Sequence, residues 1–279
     1  MADVVGGNVV ATMVQSNEAD TPARGRVPDG WNWRLVRRLL AVVAPFVLWD
    51  LLAVIASSRL LPGPLAVAET LQSSVTDGTI WLHAQPTAQR GLTGLAIAVA
   101  LGVTLGVLMA RLRWLDAALE PLIAATYPVP KLALYPLLIL LLGFGAWSKI
   151  AMVAMECAYP IILTTYAAVQ TIDKHYFWVA RNVEAGKRAQ FAIIIRAIAP
   201  ALVAALRMAA PIMLVIIVVT EMLGESQGLG YLIRRSSSDF DPEMTMAVIL
   251  LLAIVGFMLD RLIVFAGGRL GKWNNEVNL

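Results

Sequence analysis

The sequence predicts an all-α integral membrane protein with six membrane-spanning helices. Two observations carry this. Of the 279 residues, 59% are hydrophobic and 15% charged, against about 45–50% and about 25% in an ordinary soluble domain. The apolar excess is also gathered into long blocks, each matched to a hydrocarbon core roughly 30 Å thick. The net charge of +3 speaks to orientation in a membrane rather than to nucleic acid. The one cysteine, Cys157, sits inside an apolar block, so it forms no intrachain disulfide and has no basic neighbour to activate it.

Residues 1–35 are polar, punctuated by Gly and Pro, and without the apolar core of a secretory signal; they read as a disordered cytoplasmic tail. The first span is Leu39 to Ala56, with Asp50 inside it. A mixed segment follows, containing a short amphipathic stretch, Val67 to Val75. The second span, Gly91 to Ala110, has no charge and carries Gly102 and Gly106, a small-residue packing pattern. The third, Pro121 to Leu142, holds Pro121, Pro128, Pro130 and Pro136, with Lys131 among them. A lipid-facing helix does not tolerate this, because interrupted backbone at membrane depth must meet protein or a watery cavity. The fourth span is Ile150 to Thr171 with Glu156 inside. The fifth is Ile198 to Thr220 with Arg207 inside and Glu221 at its end. A polar connection, Gly224 to Glu243, leads to the sixth, Thr245 to Ala266, interrupted by Asp260 and Arg261. The tail is 267–279. The membrane domain is thus 36–266.

The longest charged interval between spans is 172–199, divided by Gly186. It reads as helix–Gly–helix, with Val179 to Ala185 as a short surface helix. With the N-terminus inside, fifteen of the 22 basic residues fall on the cytoplasmic side and five outside, while Lys131 and Arg207 lie within spans. This bias puts both termini and the 172–199 loop in the cytoplasm. An intramembrane Lys or Arg costs about 2.5–3.5 kcal/mol at mid-helix. Lys131 is therefore expected to line a path for an anion, with a Lys131–Glu156 pair as the structural alternative; for Glu156 and Arg207 structural pairing is favoured. No nucleotide-binding loop is present: in Gly267-Gly-Arg-Leu-Gly-Lys272 a Trp stands where Ser or Thr belongs. The two histidines, His83 and His175, fall on opposite sides of the membrane and cannot share a metal.

Several strings together resemble the permease subunits of binding-protein-dependent ABC importers. They are Leu61-Pro-Gly-Pro-Leu-Ala-Val67, Tyr127-Pro-Val-Pro-Lys-Leu-Ala-Leu-Tyr-Pro136, Gly143-Phe-Gly145, Ser148-Lys149, Glu221-Met-Leu-Gly224 with Gly228-Leu-Gly-Tyr231, and Asp260-Arg-Leu262. The closest likeness is to the nitrate, sulfonate, taurine and bicarbonate group, and it covers roughly residues 40 to 270. It implies a type I importer permease fold working as a homodimer. It also implies ATP-binding-cassette subunits below, where ATP and magnesium act, and a solute-binding protein outside, with no catalysis and no cofactor on this chain. It assigns ATPase coupling to Val179, Ala180, Arg181, Asn182, Glu184, Gly186 and Lys187. Tyr127, Lys131, Tyr135, Glu156, Arg207 and Glu221 are the candidates for a solute path, of which the resemblance places Glu221 near the outer gate, and a bacterial inner membrane is the implied location. One departure stands out: either Ala180-Arg181-Asn182 occupies the place of the family's Glu-Ala-Ala, or Trp178 stands at its glutamate with extra residues before Pro200, and in both alignments the glutamate is missing. A secondary transporter would need two matching halves, and a membrane scaffold would need an added soluble domain or polar constellation; neither pattern is evident.

The charge bias yields a direct expectation. Reporters fused after Leu279 and inserted within residues 224–243 should report opposite sides of the membrane; both on one side would refute the six-span topology.

Overall fold

The computed structural model describes residues 31–56, 61–126, 128–182, 184 and 186–270. The proposed tails, apart from 31–35 and 267–270, and Tyr127, Val183 and Ala185 lie outside the described residues. The described residues are helical throughout, with short connections.

Helix α1, Trp31–Ala56, belongs to a unit of its own. Its apolar part, Val36–Ala56, is long enough to cross a bilayer, and its described side chains are largely exposed.

The second unit begins with α2, Pro64–Thr76, started by proline at its first position, where the missing N–H costs nothing. The expected amphipathic stretch at 67–75 lies within it. An Asp77–Gly78 turn follows. Gly78 takes a left-handed φ of 85°, and the Asp77 carboxylate accepts from the Thr79 N–H at 2.8 Å. Helix α3 then runs Thr79–Arg111, so the second span starts twelve residues before the expected Gly91. Polar residues in that first part had disguised it; several of them, His83 and Thr87 included, are buried.

The third span breaks where its prolines predicted. Helix α4, Arg113–Thr126, and α5, Tyr135–Leu142, meet at a bend of 92°. A short 3-10 turn, Lys131–Leu134, precedes α5, so Lys131 stands in the break rather than in a continuous helix. Helix α6 is Ala146–Gln170 and α8 is Lys187–Met222, joined through the short α7, Lys174–Asn182. The connection 224–243 is not a simple polar loop. It contains α9, Leu229–Ser238, whose buried face is Leu229, Gly230, Leu232, Ile233 and Ser236. Helix α10, Pro242–Leu270, closes the chain, with Asp241 accepting the Met244 N–H at 3.0 Å as an N-cap. Among the described residues five helices are long and apolar enough to span a membrane, or six if the bent α4–α5 pair is one span.

The core is the packing of α6 between α3 and α8. Helices α3 and α6 run parallel, because Gly94, Gly102 and Gly106 fall successively opposite Val153, Ile161 and Thr165. A Cβ at Gly102 would stand 2.6 Å from Ile161 Cγ2, and one at Gly106 would stand 2.8 Å from the Ile162 carbonyl oxygen. Only glycine permits this approach, which lets dispersion contacts and backbone edges meet where no hydrophobic driving force exists. Helix α8 runs antiparallel to α6, with Cys157 Sγ 3.5 Å from the Ala209 carbonyl oxygen. Cys157 is fully buried.

The seam generates a prediction. Gly102→Val should destabilise the folded protein by about 1–3 kcal/mol through overpacking. Gly145→Ala, at an extended position with open space around it, should leave thermal stability in detergent unchanged. Equal melting of both variants would contradict the close-approach reading.

Candidate functional site

At the end of the bundle where α3 begins and α8 ends, four charges are packed together. Glu221, on the last turn of α8, has a side chain with no exposure. It is ionically paired with Arg90 Nη1 at 3.0 Å, and it accepts from the Thr87 hydroxyl at 2.8 Å and the Gly230 N–H at 3.1 Å. Lys149, equally buried on α6, donates to the Phe144 carbonyl at 2.9 Å and the Gly145 carbonyl at 3.3 Å, and pairs with Glu225 at 2.9 Å. Arg90 bridges the two halves, reaching Glu225 at 3.3 Å and the Gln227 carbonyl at 3.1 Å. Two cations meet two anions, so the cluster is neutral as a whole. Burial pushes the Glu225 carboxyl up, but the Lys149 bond and the charges of Arg90 and Lys149 outweigh it and hold it below the usual carboxylate value. Its contribution is therefore present at neutral pH and is lost as the pH falls through that lowered value.

The cluster fastens the connection that follows α8. Gly228 N–H donates to His83 Nδ1 at 3.2 Å, and Leu229 N–H donates to the Thr87 hydroxyl at 2.8 Å. The start of α9 is thereby satisfied by side chains of α3. Gly228 has φ 125°, and a Cβ there would run into the Glu221 carboxylate; one at Gly230 would run into the Val218 carbonyl. Backbone conformation and close approach together require glycine at Gly228. The Glu-Met-Leu-Gly and Gly-Leu-Gly strings are thus two sides of one contact.

A second charged site lies at the break in the third span. Lys131 Nζ is 3.8 Å from Glu156 Oε2 and 4.0 Å from the centre of the Tyr159 ring. Tyr159 in turn shares a hydrogen bond with Thr126, so α6 braces both legs of the bent span. The Lys131 ammonium is enclosed, with its side chain 10% exposed, and it stands in the paired arrangement. Tyr135 is buried, its hydroxyl donating to the Thr220 carbonyl at 3.3 Å. Arg207 pairs with Asp260 of α10, Nε to Oδ1 at 2.7 Å. The structure thus brings Lys131 and Glu156 together and places Glu221 and Arg207 each in a separate ion pair.

The loop 172–199 differs from expectation. Its surface helix is Lys174–Asn182, not Val179 to Ala185. Asp173 caps it, accepting from the His175 N–H at 2.9 Å, and that bond, ahead of the His175 ring, holds the Asp173 carboxyl below its usual value. The helix therefore starts five residues earlier and takes in the aromatic residues. Val179 and Asn182 are exposed on it and Ala180 is buried. The turn is made by Glu184, at φ 51°. Gly186 has an extended conformation and open space about it, so glycine is not needed there for a sharp turn.

Sequence reasoning missed Arg90, Lys149, Glu225, Thr87 and His83. Arg90 and Lys149 read as outer-surface charges flanking apolar blocks. The available signal was the pair Glu221 and Glu225, four residues apart, with two basic residues on the same expected side of the membrane.

A family model described as binding-protein-dependent transport system inner membrane component matches residues 102–272. The putative aliphatic sulfonates transport permease protein SsuC of Bacillus subtilis is 28% identical over 262 residues, covering 93% of this chain and 94% of that protein. The formylaminopyrimidine transport permease protein ThiX of Halalkalibacterium halodurans is 30% identical over 215 residues, covering 76% and 85%. The taurine transport system permease protein TauC of Escherichia coli is 27% identical over 261 residues, covering 88% and 94%. The match spans more than half of the chain, and the chain belongs to the family of binding-protein-dependent transport system inner membrane components.

Proposed function

We propose that this chain is the membrane subunit of an ATP-driven importer that passes a small oxyanion solute, such as a sulfonate or taurine, into the cytoplasm. In this reading two copies assemble in a bacterial inner membrane with both termini cytoplasmic. Two ATP-binding-cassette subunits, which hold ATP and magnesium, dock below, and a solute-binding protein delivers solute above. The substrate class follows what the sulfonate and taurine relatives are named for; the pyrimidine-precursor relative widens the range.

One observation carries the coupling. Helix α7 is short and capped, held between two membrane helices, α6 and α8, by links of only a few residues. It exposes Tyr176, Trp178 and Val179 while Ala180 is buried. Large apolar side chains left open on a helix outside the spans mark a partner surface. A helix of nine residues is about 13 Å long, a length that fits one groove on an ATPase. Trp178, beside the place where the family's glutamate is missing, supplies an aromatic anchor in place of a charge. Closure of the ATPases on ATP would push α7 as a rigid body, and α6 and α8 would tilt with it to switch the path from inward-facing to outward-facing.

Single cysteines at positions 176, 178 and 179, in a Cys157→Ala background, should cross-link to the ATPase subunit and not to the binding protein. Trp178→Arg should weaken ATPase attachment by about 2 kcal/mol, roughly 30-fold, as loss of an aromatic anchor does, while the membrane helices still insert. No cross-link from any of the three positions would contradict the reading.

A further inference from the structure

Arg207 lies fifteen residues from either end of the apolar stretch Ala192–Met222, about 22 Å along the axis each way. That is the middle of the bilayer, where ionised side chains pair and face the bundle interior or a water-filled cavity. Lys131 and Glu156 obey this rule by enclosure, with side chains 10% and 19% exposed. Arg207 and Asp260 are open, at 52% and 32%. A charge that open at mid-depth faces water or protein, not lipid.

The guanidinium is only half used. Asp260 takes its side edge, accepting from Nε at 2.7 Å and from Nη2 at 3.5 Å. The end edge, Nη1 with the outer N–H of Nη2, points away from Asp260. Two parallel donors are the geometry that binds a carboxylate or sulfonate in a fork. The same turn holds a further polar group. Pro211, exposed on α8, cannot donate to the Arg207 carbonyl four residues earlier, which frees that acceptor from its usual helical partner. The exposed face of α8 runs through Pro200, Ala204, Met208 and Pro211. Towards α7 it continues into a groove of about 600 Å³ between α6 and α8, which Thr164 and Thr171 also line.

We propose that Arg207, and not Lys131, is the cation that receives the oxyanion of the transported solute, with Asp260 as the residue that positions its fork. The proposal rests on the permease reading. It assigns Lys131 to bracing the broken span. The solute class it selects is a sulfonate or carboxylate small enough to pass along the exposed face of α8.

The test needs no knowledge of the physiological solute. In a Cys157→Ala background, Met208→Cys places a thiol on the exposed face one residue from Arg207. The full complex in membrane vesicles is treated with a water-soluble methanethiosulfonate that carries a sulfonate, and with its trimethylammonium counterpart. The thiol should react with both, and with the sulfonate reagent about tenfold faster, as a focused positive field predicts. Arg207→Gln should abolish or invert that preference. Asp260→Asn, which leaves Arg207 in place, should strengthen it, and Lys131→Met should leave it unchanged. No reaction with either reagent would mean that lipid or a second copy covers the face, and would overturn the proposal. So would a preference that survives Arg207→Gln or falls in Asp260→Asn. Charge-selective labelling in a chain that binds no ATPase through α7 would sink the importer reading alone and leave Arg207 as the anion site.

Discussion

A charge inside a bilayer must have its opposite within reach. That constraint shapes this protein more than any other, because hydrocarbon offers neither water nor counter-ions. At the α3–α8 end it produces a neutral group of Arg90, Lys149, Glu221 and Glu225, drawn from α3, α6, α8 and the turn after α8. The backbone bends to serve that group. Gly228 and Gly230 are glycines because the Glu221 carboxylate and the Val218 carbonyl occupy the space where side chains would begin. The position of α9 follows from these contacts, since His83 and Thr87 hold its first N–H groups.

The same rule at mid-depth has two solutions. Lys131 and Glu156 close on each other beside Tyr159 and make the proline-broken span a fixed feature. Arg207 and Asp260 join α8 to α10 but leave half a guanidinium open. Between these sites runs the glycine seam of α3 against α6, which needs no charge at all. A rigid pair, α3–α6, thus stands beside a helix, α8, that carries two prolines and an open charge and is tied directly to α7. That division suits the importer proposed above, in which a push at α7 would reach the middle of the membrane.

Much of this was legible in the sequence. The spans show as apolar blocks, since no other signal competes with twenty residues of hydrocarbon-compatible side chains. The prolines point to a break, which falls at Pro128 and Pro130 while Pro121 and Pro136 lie within helices, and Gly102 with Gly106 point to a packing face. What failed was whatever depended on a residue's partner. Arg90 and Lys149 look like surface charges until Glu221 and Glu225 are brought to them in space. The start of α3 was hidden because His83, Thr87 and Arg90 are polar yet buried or half-buried. Sequence alone sets α7 five residues too late, because a glycine at 186 suggests the turn that Glu184 makes. Lys131 and Arg207 changed places as the exposed cation, a distinction of orientation that residue spacing does not encode.

Paired charge, not charge itself, holds the bundle end together. The thermal stability of detergent-solubilised variants of Arg90 and Glu221 tests this. Arg90→Met alone leaves Glu221 buried without its cation and should cost about 3–5 kcal/mol. Adding Glu221→Gln removes the orphaned charge, keeps an acceptor for the Gly230 N–H, and leaves Lys149 with Glu225 as a balanced pair. The double variant should therefore melt higher than Arg90→Met. A double variant that melts lower than Arg90→Met would contradict the account.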